Sequence, residues 1–309
     1  MSLLLGNGAV QAAPPPADRP ASPDLSKYKL PPNFDSLSES EKVLIILTQE
    51  AELGNAQAMM ELGGLYEQGL LGRVDFGQAL EWFKKAAEKK HPAGYYSVGM
   101  AYLIGQGDAP NTSLALENIR RAAIQNFPMA NFQLAVMYLR GQHVNKSSAD
   151  GLKYLNKAAD SGLPLAINEL GVISYSGLWD QPVNKTLALS FFKKGADLGY
   201  GESMRNVALC YFNGEGQAKD DVQAYKWFSL AQAVGFNSPE ISQAITGFKG
   251  SLKPEEIAKA DKEAKDWIAA FQAKIQATQN VAQSPAQPAA AKPAAKPAAK
   301  PAAKKPARR

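Results

Sequence analysis

One segment of this chain returns about every 36 residues. Its most regular mark is a glycine, at Gly69, Gly105, Gly141, Gly177 and Gly214, with spacings of 36, 36, 36 and 37. Three residues before that glycine stand Tyr66, Tyr102, Tyr138, Ser174 and Tyr211. Two further series keep the period: Ala79, Ala115, Gly151, Ala188 and Ala224, then Ala86, Ala122, Ala158, Gly195 and Ala231. A fixed period of this length marks a stacked architecture. One short unit cannot bury its apolar face alone, and neighbouring copies bury it together.

Each copy reads as two helices. In the first, Ala58, Leu62 and Leu65 share one face at helical spacing, which predicts helix A over about Ala56 to Tyr66. Gly69 ends it, because glycine tolerates the positive φ of a helix terminus. Ala79, Leu80, Phe83, Ala86 and Ala87 predict helix B over about Asp75 to Glu88. Four residues before each member of the Ala79 series lie Asp75, Asn111, Ser147, Asn184 and Asp220. All five are cap types, whose side-chain oxygen accepts a free amide hydrogen of the first turn. The fourth copy carries one extra residue around Trp179 to Pro182, in the loop, where insertion is tolerated. Small residues at Gly63, Gly99, Ala135, Gly171 and Ala208 predict close helix approach, and Trp82, Phe192, Trp227 and Phe228 fill the space between layers.

These positions resemble the Sel1-like repeat family, whose pattern is roughly Ala-x-x-x-Leu-Gly-x-x-Tyr-x-x-Gly, a loop with an Asp-type cap, then Ala-x-x-Trp-Phe-x-x-Ala-Ala. The first copy matches at Ala58, Leu62-Gly63, Tyr66, Gly69, Asp75, Ala79, Trp82-Phe83 and Ala86-Ala87, and the resemblance covers about residues 50 to 236. It departs at Ser174 for tyrosine, at Gly151 and Gly195 for alanine, and at Leu230-Ala231-Gln232, departures expected to loosen the fourth and fifth copies without breaking them. The resemblance implies an all-α fold: a right-handed α-solenoid of five Sel1-like helix-turn-helix repeats with helical caps and disordered termini, related to tetratricopeptide arrays. It also implies an adaptor for other proteins.

The chain divides accordingly. Residues 1–35 are a Pro/Ala-rich leader, 36–55 an N-terminal capping helix, 56–236 the five repeats, 237–280 C-terminal capping helices, and 281–309 a basic Lys-Pro-Ala-Ala tail. Leader and tail lack the apolar side chains that offset chain entropy, so both are expected to be disordered. Ala51 lies 36 residues before Ala87, which makes the first cap a half-repeat. The second cap reads as helices near 238–248 and 254–277, with Pro254 in the first turn and Glu255-Glu256 at its positive end. Leu3-Leu4-Leu5 followed by Val10-Gln11-Ala12 looks like the end of a signal peptide, without a basic stretch before it. A periplasmic or secreted location is the expectation, and a cytoplasmic one the alternative.

Charge and motifs narrow the function. The tail cations Lys292, Lys296, Lys300, Lys304, Lys305, Arg308 and Arg309 outnumber the net charge of +5, so the rest of the chain is mildly acidic. A basic body surface for nucleic acid is not indicated. No apolar run approaches the length of a transmembrane helix. Cys210, the single cysteine, has no partner for an internal disulfide and shares its helix position with Leu65, Ala101, Met137 and Ile173. Gly105-Gln106-Gly107 and Gly214-Glu215-Gly216 look like glycine-rich loops, but no Gly-Lys-Ser/Thr follows them and both fall in the inter-helix turn. His91 and His143 have no partner at metal-ligand spacing. Of three glycosylation-type triplets, at Asn111, Asn145 and Asn184, two begin on caps. No catalytic residue, metal ligand or cofactor is expected, and the chain reads as a binding scaffold and not as an enzyme.

The partner is expected to be a protein or peptide, held on helix A. Glu61 and Gln68, seven residues apart, share a face turned from the core. The equivalents in later copies are Ser97 and Ile104, Gln133 and Arg140, Glu169 and Ser176, and Asn206 and Asn213. In a right-handed stack of helical hairpins helix A generally lines the inner surface. These residues would then form a ladder along the groove, and the bland alternative is an ordinary solvated face. A different alternative is an anchoring protein. Its proline-spaced tail would be extended and bind an anionic polymer or surface, such as cell wall or nucleic acid, non-specifically, with the solenoid as a structural body.

Overall fold

The computed structural model describes residues 25–283. The chain up to residue 24 and from residue 284, with the signal-peptide and basic-tail expectations that fall there, lies outside the described residues. Asp24–Ala273 form one compact unit; of the other, made of the two chain ends, only residues 274–283 are described, as the last turns of a helix.

Among the described residues there are thirteen α-helices and no strand. The first, α1, spans Glu39–Glu52. Five pairs follow: α2 (Ala56–Glu67) with α3 (Phe76–Glu88), α4 (Pro92–Ile104) with α5 (Thr112–Ile124), α6 (Pro128–Arg140) with α7 (Ser148–Asp160), α8 (Pro164–Ser176) with α9 (Lys185–Asp197), and α10 (Gly201–Asn213) with α11 (Asp221–Ala233). The array closes with α12 (Pro239–Ser251) and α13 (Pro254–Gln283). From α1 to α12 consecutive helices pack on one another, which makes the fold an α-solenoid. In each pair the even-numbered helix is the A helix and the odd-numbered one the B helix.

Local rules place these helices. Within every copy the backbone N–H of the cap donates to the carbonyl of the aromatic position: Asp75 to Tyr66, Asn111 to Tyr102, Ser147 to Tyr138, Asn184 to Ser174 and Asp220 to Tyr211, at 2.7–3.0 Å. The bond uses a main-chain oxygen, so Ser174 supplies it as well as a tyrosine does. Near the extra loop residue of that copy, Trp179 and Asp180 take positive φ, at 58° and 63°. The five cap side chains accept from the amides of Gln78, Leu114, Asp150, Leu187 and Gln223 at 2.9–3.2 Å. Between copies, the carbonyls of Ala86, Ala122, Ala158, Gly195 and Ala231 accept from the amides of His91, Phe127, Leu163, Tyr200 and Phe236 at 3.0–3.1 Å. Proline then starts α4, α6 and α8, where a missing N–H costs nothing.

Close packing explains the small residues. A Cβ on Gly63 would overlap the Phe83 ring, and one on Gly171 would overlap Phe192. Gly151 and Gly195 leave no gap where the pattern has alanine. The Leu139 and Ser203 side chains occupy the volume that an alanine Cβ would take there.

The N-terminal end departs from the sequence expectation. Residues 25–36 carry two short 3-10 turns, Leu25–Lys27 and Phe34–Ser36. Phe34 is buried, the Tyr28 hydroxyl donates to Glu50 at 2.8 Å, and the Gln49 side chain exchanges two hydrogen bonds with the Lys29 backbone. The stretch therefore docks on α1 and is not a bare leader. At the other end α13 lies along α11. Tyr225 donates to Asp261 at 2.9 Å, Lys226 pairs with Glu263 at 3.0 Å, and Trp227 meets Trp267 edge-on at 6.4 Å. No described helix is long and apolar enough to cross a membrane.

Candidate functional site

The A helices of successive copies stand side by side. Asn168 on α8 accepts from Ser203 Oγ at 3.0 Å and from Asn206 Nδ2 at 2.9 Å, both on α10. Glu169 on α8 lies within electrostatic reach of Arg140 on α6 and Glu202 on α10. The A helices thus present a shared face.

Of the ten residues expected on that face, Glu61, Ser97, Gln133, Arg140, Glu169 and Asn206 are half-buried, and Gln68, Ile104, Ser176 and Asn213 are exposed. The structure brings Arg140 towards Glu169, and it ties Asn206 to Asn168. Glu61 accepts from Gln57 at 3.4 Å, and Asn213 donates to Glu215 at 3.3 Å. Gln68, Ser97, Gln133 and Ser176 make no side-chain hydrogen bond to another described residue. Their polar atoms are available to a ligand.

The electrostatics concentrate at one rung. Burial, then the neighbouring Glu202, push the Glu169 carboxyl up to about 7, while Arg140 pulls it back. Glu202 itself accepts from the Tyr200 hydroxyl at 3.0 Å. Asn168 is fully buried and its Nδ2 finds no acceptor among the described residues.

The polar ladder has apolar borders that are as regular as its rungs. Met60, Tyr96 and Phe132 sit one position before the rungs Glu61, Ser97 and Gln133, and all three are half-buried. Met100, Val136, Val172 and Leu209 sit three positions after a rung and are half-buried too. The face therefore alternates polar rungs with apolar strips. The signal was present in the same 36-residue register, one and three positions away from the residues singled out.

The remaining sequence candidates have structural places. Cys210 is 1 % exposed, and burial raises its thiol to about 11, which leaves it protonated and unreactive at neutral pH. His91 precedes α4 as its cap residue, without a side-chain cap bond, and His143 is exposed in an A-to-B loop at φ 63°. Gly107 and Gly216 press against the carbonyls of Phe76 and Lys185, at the starts of the preceding copies' B helices. Each glycine-rich turn thus joins two copies. Glu215, between Gly214 and Gly216, accepts a short hydrogen bond from the Tyr175 hydroxyl and pairs with Lys185 at 3.2 Å. Among the described residues no three His, Cys, Asp or Glu side chains gather to hold a metal ion.

Comparison with known proteins fits this geometry. A family model for the Sel1 repeat matches residues 56–91, 92–127, 128–163, 164–200 and 201–231, more than half of the chain. A protective antigen of uropathogenic Escherichia coli with an SLR fold is similar at a TM-score of 0.63 and 25% identity, over 84% of this chain and 54% of that one. A Sel1 repeat protein from Oxalobacter formigenes superposes at a TM-score of 0.59 and 22% identity, over 77% of this chain and 95% of that one, a likeness of fold. HRD3A of Arabidopsis thaliana, a component of an ERAD-associated E3 ubiquitin-protein ligase, is 40% identical over 73 residues. That match covers 23% of this chain and 11% of the plant protein, so the chain spans only a small part of that relative's length and about half of the antigen's.

Proposed function

We propose that this chain, which belongs to the Sel1 repeat family, is a non-catalytic scaffold that holds a peptide segment of a partner protein on the face formed by α2, α4, α6, α8 and α10. Sel1 repeats generally mediate contacts between proteins, and proteins of this fold are typically scaffolds without catalysis. One observation carries the choice of face. Polar side chains without internal partners, such as Gln133, alternate there with half-buried apolar ones in copy after copy. A face that offers both kinds of group can meet both the side chains and the main chain of a partner. Its chemistry suits a peptide, with apolar strips for side chains and amide rungs for the main chain. The outer side of the B helices offers less, because its groups are already engaged. Lys84 pairs with Glu81 at 3.0 Å and Lys85 lies 3.7 Å from the centre of the Trp82 ring.

The test uses the full chain against a phage-displayed library of random dodecamer peptides, with selected peptides then synthesised. Gln133→Ala with Arg140→Ala is expected to weaken peptide binding by about tenfold, or about 1.4 kcal/mol. Lys84→Ala with Lys85→Ala is expected to leave it unchanged. Loss of binding in the lysine pair alone, with both proteins folded, would place the site on the other face.

A further inference from the structure

The A face does not end at the fifth copy. Between α10, α11 and α12 lies a pocket of about 330 Å³. Its floor is Phe228, Ile241 and Phe248, each less than 9 % exposed, and Leu209 forms a wall. Phe212 stands at the mouth, 44 % exposed, with its ring edge-on to Phe248 at 5.7 Å.

A glycine lines the edge of this pocket. Gly247 lines it from the interior of α12. A Cβ on Gly63, Gly99 or Gly171 would strike the neighbouring helix, so packing accounts for those three. A Cβ on Gly247 would meet nothing within 4 Å. Glycine inside a helix is unfavourable relative to alanine, and no contact within the molecule compensates for it at this position. Gly250, in the same helix, meets nothing either, so α12 has open space on this side, and at Gly247 that space borders the pocket.

The rim selects for an uncharged occupant. Arg205 lies within electrostatic reach of Glu240. Lys219 pairs with Asp221 at 3.4 Å and lies 5.1 Å from the centre of the Phe212 ring. Each charge at the mouth thus has its opposite beside it, so an ionic ligand would find no net attraction there. The pocket is continuous with the face proposed above. Asn206 and Asn213, two of its rungs, flank Leu209 and Phe212 on α10. A peptide lying on those rungs would bring a side chain to the mouth.

We propose that the pocket between α10, α11 and α12 takes one bulky uncharged side chain of the partner peptide, leucine, isoleucine or phenylalanine, and thereby sets the register in which that peptide lies on the A face. This rests on the scaffold reading above. The occupant is a peptide side chain and not a free apolar molecule, because beyond their bonds to Asn168, Arg205 and Glu215 the Asn206 and Asn213 amides each keep a second N–H and an oxygen lone pair for a main chain beside the mouth.

The experiment uses the full chain and the dodecamer peptides selected on it. Selected peptides are expected to share one bulky apolar residue. Alanine at that residue, or Gly247→Leu in the protein, each weakens binding at least tenfold, and combining the two adds little. Thermal melting should show Gly247→Leu no less stable than the parent; if it melts lower, Ala244→Leu fills the same pocket and is judged by the same criteria. Unchanged binding in the pocket-filled protein, with loss in Gln133→Ala/Arg140→Ala, overturns this proposal and leaves the scaffold reading standing. No effect of either overturns both. Peptides without a shared apolar residue, while anilinonaphthalene sulfonate fluoresces in the parent and not in Gly247→Leu, would mean a small apolar ligand and would overturn the proposal. So would a parent dimer, seen by light scattering, that Gly247→Leu dissociates.

Discussion

At the scale of single residues, Glu169 is the most informative group. Its carboxyl, ordinarily near 4.5, is pushed up to about 7 by burial and by Glu202, against the pull of Arg140. The folded chain therefore holds a proton in the interval between those values that the unfolded chain has lost. Stability falls as pH rises across that interval, because ionised Glu169 is unfavourable in its place. Glu169→Gln removes the effect. Relative to the parent it should be unchanged at pH 4 and more stable at pH 8 by about 2 kcal/mol, partial solvent screening holding the gain to that size. Denaturation at the two pH values checks it, and an equal difference at both would show that Glu169 does not titrate this way. The glycines give a second comparison. Gly171→Ala should destabilise by about 2 kcal/mol through overlap with Phe192. Gly247→Ala, which meets nothing, should stabilise by about 1 kcal/mol through helix propensity. Melting curves that moved in the same direction would contradict the packing account.

At the scale of helices, local chemistry made most of the fold legible. Asp75 sits four residues before Ala79 in the sequence, and its Oδ1 accepts from Gln78 N at 2.9 Å in the structure. Asp75→Ala should cost about 1 kcal/mol, read from the midpoint of chemical denaturation; an unmoved midpoint would deny the cap a role in stability. What escaped the sequence depends on contacts between distant residues. Nothing local to Phe34 says that it will be buried, since the Tyr28 and Lys29 bonds beside it reach Glu50 and Gln49 some 20 residues away. Ser203 filling the place beside Gly195 is equally invisible to a repeat pattern, because it belongs to the next copy. The same holds for Glu215, which reaches back to Tyr175 and Lys185. Glu215→Ala should therefore speed amide hydrogen exchange first where α8, α9 and α10 meet, by cutting a bond between copies. Faster exchange confined to α1–α4 would contradict that.

At the scale of the whole molecule, a repeat of helix pairs gives two different sides. One carries engaged cations on the B helices; the other carries the rungs and apolar strips of the A helices, continued by the pocket at α12. The existence of a repeating A face was legible from the 36-residue register. Its apolar borders were regular in the same register, but that residues such as Phe132 and Val136 are only half-buried was not legible, because in sequence they look like core. The pocket was not legible either, since it needs α10, α11 and α12 in place together. The most direct test of the account is where a bound peptide touches the chain. A photoactivatable phenylalanine analogue would replace Met100 or Val136 on the A face, or Lys85 or Lys157 on the B helices, and each protein would be irradiated with a selected dodecamer. A peptide held on the A face gives covalent adducts at 100 and 136 and none at 85 and 157. Adducts at 85 and 157 with none at 100 and 136 would contradict that placement.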